Sequence, residues 1–85
     1  MDPIDLPFRF DGTHYDAKLL VIKIGRFIQF DVFAISPPYK DLPSLITYEV
    51  YKDNLAPAFS RIEYRAFYDN LGATLLAKCS ERNIS

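Results

Sequence analysis

The stretch AKLLVIKIGRFIQFDVFAI, residues 17–35, decides the fold. Gly25-Arg26 divides it into two runs rich in strand formers. A Gly-X pair suits a two-residue hairpin turn, because glycine adopts positive φ without a Cβ clash. With Ile24 set opposite Phe27, successive side chains alternate between two faces. One face carries Tyr15, Ala17, Leu19, Val21 and Lys23, with Ile28, Phe30, Val32 and Ala34. Only Lys23 is charged, so this is the expected core face. The other carries His14, Asp16, Lys18, Leu20, Ile22 and Ile24, then Phe27, Gln29, Asp31, Phe33 and Ile35. That face is mixed, and Leu20, Ile22, Ile24 and Phe27 gather at the turn end.

Working outward, LPFRF (residues 6–10) alternates apolar and polar, and Asp11-Gly12 is a strong turn signal. The expected strands are residues 6–10, 14–24, 27–35 and 45–51. The last is LITYEVY, whose residue types fit a pleated surface. Between the third and fourth, SPPYKDLPS has three prolines in nine residues and reads as a loop. After KDNLAP the apolar period lengthens from two to about 3.6. Tyr64, Phe67, Tyr68, Leu71, Leu75 and Cys79 form one stripe, and Ser60 with Glu63 has the spacing of a capping box. A helix over residues 61–81 is expected. Gly72 weakens it, and marks either close packing on the sheet or a break into two helices. A rival reading makes RIEYRA a fifth strand, but the capping box and the six stripe positions favour the helix. The fold class expected is α+β: a four-stranded antiparallel meander with one C-terminal helix on one face, in a single domain spanning residues 1–85.

Composition narrows function by exclusion. The 85 residues are 49% hydrophobic and 25% charged, with a net charge of −1 and no basic or acidic run. Nothing here favours nucleic acid or an anionic membrane. RIEYRAFY mixes arginines with aromatics, which on a sheet could stack bases. On a helix its Tyr64, Phe67 and Tyr68 turn inward. The start MDPIDLPFRF is acidic and lacks an apolar signal region, and the longest near-apolar run, residues 19–24, is too short to span a bilayer. The one cysteine suits a reducing compartment. A soluble cytoplasmic protein is the expectation.

Chemistry-bearing residues are few. His14 lies between Asp11 and Asp16, but no second histidine or suitably spaced cysteine completes a zinc set. Cys79 falls on the apolar stripe and reads as a small hydrophobe; a Cys79–His14 pair would need both at one place in the fold. The three glycines make no phosphate-binding loop. No catalytic residue, cofactor or metal site is therefore assigned. The expected role is protein interaction or self-association, as a homodimer or with another protein partner. It would use a patch of Leu20, Ile22, Ile24, Phe27 and Phe33, with Lys18, Gln29 and Asp31 at its rim. The alternative is a ligand-binding domain or small enzyme with a pocket lined by sheet aromatics. The patch could also be covered by the loop at residues 36–44, through Tyr39 and Leu42, or by the N-terminal MDPIDLP.

Overall fold

The computed structural model describes residues 2–51 and 54–82. The class is α+β, an antiparallel sheet with one C-terminal helix, and the strands number six rather than four. They are β1 (Ile4–Asp5), β2 (Phe8–Phe10), β3 (Thr13–Ile24), β4 (Phe27–Ser36), β5 (Ile46–Tyr51) and β6 (Asn54–Pro57). A 3-10 turn at Ile62–Tyr64 leads into α1 (Arg65–Arg82). The sheet order is β1-β3-β4-β5-β6, with β2 beside the same edge of β3 as β1.

Two changes raise the strand count. β1 and β2 share one register on β3: Ile4 faces Leu19 and Phe8 faces Tyr15, with the Leu6 N–H donating to the Ala17 carbonyl between them. The expected first strand is therefore one run beginning at Ile4, interrupted at Pro7, which has no N–H to give. β6 is new. Its signal in the sequence is short and ends in Pro57, which is compatible only with an edge strand.

The Gly25-Arg26 hairpin forms as read, with Ile24 opposite Phe27 and an unbroken register to Lys18 opposite Phe33. Beyond that β4 carries one extra residue, because Asp16 faces Ser36. Ala34 takes φ 55°, the left-handed conformation of a bulge residue. The bulge exchanges the faces of the two residues at this end of β4: Ala34 is exposed and Ile35 is buried. The alternation had placed Ala34 inward and Ile35 outward.

The helix covers the expected core face. Phe67, Tyr68, Leu71 and Leu75 are buried against Tyr15, Ala17, Leu19, Val21, Phe30 and Val32, while Tyr64 and Cys79 pack at the margins. The capping box does not form. Arg61 occupies the N-terminal position of the 3-10 turn without a side-chain cap, and Glu63 instead accepts from the Arg61 Nε at 2.8 Å. Gly72 marks close packing rather than a break, since α1 runs through it and a Cβ there would lie 3.5 Å from Tyr48 Cε2. That is ordinary van der Waals distance, so Gly72→Ala should gain helix propensity without a clash. Thermal or urea unfolding is expected to show a stabilisation of about 0.5–1 kcal/mol.

Candidate functional site

The outer sheet face is the candidate, and neither proposed cover lies on it. Residues 37–45 fold to the core side, where the Tyr39 ring stacks on Phe67 at 4.1 Å between centroids and Leu42 is buried. The N-terminal segment lines the edge of β3 and sends Leu6 into the core. Leu20, Ile22, Phe27 and Phe33 are half-buried, and Ile24 is 67% exposed.

Register refines the shape of this patch. Along β3, Leu20, Ile22 and Ile24 stand in one row, with Asp31, Gln29 and Phe27 opposite them on β4. Phe33 faces Lys18 and is diagonal to Leu20. The apolar surface is therefore a stripe along β3, closed by Phe27 at the tip and by Phe33 at the far end. The polar residues beside it form a network of their own. Gln29 Nε2 donates to Asp31 Oδ1 at 2.9 Å, and Thr47 Oγ1 donates to the same oxygen at 3.0 Å. Lys18 is ion-paired with Asp5 of β1, which holds the Asp5 carboxyl below its usual value through the hydrogen bond first and the Lys18 charge second. The residues expected at the rim thus find partners within the chain, Lys18 in Asp5 and Asp31 in Gln29 and Thr47.

The structure does not bring His14 and Cys79 together. His14 Nε2 lies 3.2 Å from Asp16 Oδ1 in an exposed pair, and among the described residues no three His, Cys, Asp or Glu side chains are grouped to hold a metal. Cys79 is half-buried, and burial pushes its thiol pKa up while the nearby Lys23 charge opposes that. Lys23 and His14 are nine residues apart on one extended strand, roughly 30 Å, so Cys79 and His14 are at different ends of the sheet. The sheet aromatics Phe8, Tyr15, Phe30 and Tyr48 are buried in the core. The space among Ile35, Tyr39, Leu42, Ile46 and Phe67 is about 10 Å³, near the minimum for one water.

Two features escaped the sequence reading. Leu45, Phe59 and Ile62 are 51%, 79% and 87% exposed, and the first two flank a shallow groove with Arg61 and Tyr68. Their positions in loop and turn give no periodic signal. The second is a clasp at the helix start. Asp41 accepts from the Tyr64 hydroxyl and from Arg61 Nη1 at 2.8 Å, while the Arg61 guanidinium lies 4.9 Å from the Tyr64 ring centre. Asp41 is 23 residues from Tyr64 in sequence, so only the fold joins them.

The hydrogen bond from Tyr64, then that from Arg61, holds the Asp41 carboxyl below its ordinary 3.8. A carboxyl with a depressed folded-state pKa contributes stability that is present above its unfolded value and lost as pH falls through the folded one. Acidification below about pH 4 should therefore loosen residues 37–45 from the helix start. NMR shifts of the Tyr39 and Tyr64 rings are expected to report this transition, and Asp41→Asn should abolish it. Ring shifts that ignore pH in the wild type would show the clasp to be idle.

Among the described residues no helix is long and apolar enough to cross a membrane. No protein-family model, curated protein or solved structure matches the chain.

Proposed function

We propose that this chain is a protein-interaction module, cytoplasmic in setting, that buries the stripe Leu20, Ile22, Ile24, Phe27 and Phe33 against a protein partner. The observation that carries this is the uncovered stripe itself. Among the described residues, the loop and the N-terminal segment, the covers the sequence suggests, pack elsewhere. Large aliphatic and aromatic side chains left together on one surface are a common mark of an interaction site. The polar network of Gln29, Asp31 and Thr47 is already satisfied and limits the contact to one side of the face. The lone, half-buried Cys79 is compatible with a reducing compartment.

Ile22→Glu and Phe27→Glu test the proposal. Both side chains are only half-buried, so each variant should keep the wild-type circular dichroism and melt within a few degrees of it. Association measured by light scattering should be lost in both. Association that persists unchanged in both variants would sink the proposal. A wild type that stays strictly monomeric at high micromolar concentration removes self-association and leaves the stripe to a different protein.

A further inference from the structure

On the outer face, the stripe on β3 is flanked by polar residues of β4 and β5. Leu20 stands in one row with Asp31 and Thr47, and Ile22 in the next with Gln29 and Glu49. Glu49 shares this face because Tyr48, its neighbour in β5, is turned into the core. Asp31 takes hydrogen bonds from Gln29 and Thr47, which are neutral and leave its charge unmatched. Among the described residues neither Asp31 nor Glu49 belongs to an ion pair. Lys18, on the same face, is held by Asp5. Arg9 stands opposite His14, roughly 20 Å along β3 from Leu20. An apolar row and a negative row therefore lie side by side.

The dimensions suit a helix. From Lys18 opposite Phe33 to Ile24 opposite Phe27, the stripe covers three two-residue steps of a strand, roughly 20 Å. A helix of about 13 residues has that length. From β3 to β5 is two strand spacings, roughly 10 Å, which matches the diameter of one helix. Laid along β3, a helix buries its apolar side on Leu20, Ile22 and Ile24 and holds one flank above Asp31 and Glu49. Its backbone groups are paired internally, so the sheet face need supply only apolar contact and charge. α1 already packs on the core face, and the second helix makes a third layer. A second copy laid on the stripe instead brings two more carboxylates and a lysine already held by Asp5. Like charges set together across an interface oppose association.

We infer that the partner of the stripe is a basic amphipathic helix of another protein. Its apolar residues, at helical spacing, lie on β3, and lysine or arginine along its flank meets Asp31 and Glu49. The inference rests on the interaction reading above and names the chemistry of its partner.

The probe is a peptide of leucine and lysine, about 18 residues long and patterned as an amphipathic helix. A leucine–glutamate peptide of the same pattern is its counterpart. Each is titrated into the full chain and followed by the NMR shifts of the backbone amides. The lysine peptide is expected to bind and to shift Leu20, Ile22, Ile24, Asp31 and Glu49, and the glutamate peptide to leave them unmoved. Asp31→Asn with Glu49→Gln removes both charges, keeps an acceptor for Gln29 and Thr47, and should weaken binding about fivefold. Ile24→Ser, at a side chain 67% exposed, should weaken it about tenfold with the fold intact. Asp11→Asn with Asp69→Asn removes two charges away from the stripe and should bind as the wild type does. Equal binding of the two peptides, or equal weakening by the two charge-removing pairs, overturns the basic helix. A loss in Ile24→Ser would still uphold the stripe. Failure of the lysine peptide to bind at millimolar concentration also overturns the inference. A wild type that self-associates, and loses this in Ile24→Ser, keeps the interaction reading but gives the stripe to a second copy, against the inference. Peptide binding and self-association that both ignore Ile24→Ser overturn both readings.

Discussion

Phe67→Ala is expected to lower the unfolding free energy by about 3–5 kcal/mol, the usual cost of deleting a fully buried aromatic. Phe67 is 1% exposed and is the ring on which the N-terminal strands, the proline loop and the helix meet. The Phe8, Phe10 and Tyr15 centroids lie 5.9, 5.4 and 5.8 Å from its own, and Tyr39 stacks on it. Tyr39 would lose its stacked partner but keep its edge contacts with Phe10, Tyr15 and Tyr64. A domain of this length has a total stability of roughly 4–13 kcal/mol, so the variant should lose a large share of it. Urea denaturation measures the loss directly. A change under about 1.5 kcal/mol would mean that the neighbouring rings close over the gap.

Ile35→Ala should cost about 2–4 kcal/mol, because the bulge in β4 turns this side chain into the core at 7% exposure. Ala34→Gly is the companion. Ala34 holds φ 55°, a conformation that a side chain disfavours by roughly 1–2 kcal/mol and glycine does not. Glycine should therefore leave the protein as stable as the wild type or raise its stability by up to about 1 kcal/mol. Uninterrupted alternation makes the opposite forecast: Ile35→Ala would be nearly silent on a solvated face. The pair of variants separates the two strand geometries in a single set of melts.

These two positions show where local pattern is informative. From Lys18 to Phe33 the hairpin was legible because a two-residue turn fixes register, and every side chain follows from it. The helix stripe was legible from its own period, repeated over about four turns. The outer-face residues were legible as a set, yet that the proline loop and the N-terminal segment pack away from them needed the fold. The bulge at Ala34 left no mark, since neither Ala34 nor its neighbours is a residue that bulges require. The capping box failed because Arg61, not Ser60, holds the N-terminal position of the 3-10 turn, and Glu63 pairs with that Arg61, itself held by Asp41 from the proline loop.

By itself the sequence determined the α+β class, the central hairpin with its register, the helix and the face it buries. All of these follow from apolar period and turn chemistry, which are properties of neighbouring residues. Only the tertiary structure decided that Pro7 interrupts one strand, that β6 closes the far edge, and that Ile35 turns inward. It also decided that Tyr39 and Leu42 serve the core rather than the outer face. Each of these depends on contacts between residues far apart in the chain, where packing and backbone pairing outweigh local preference.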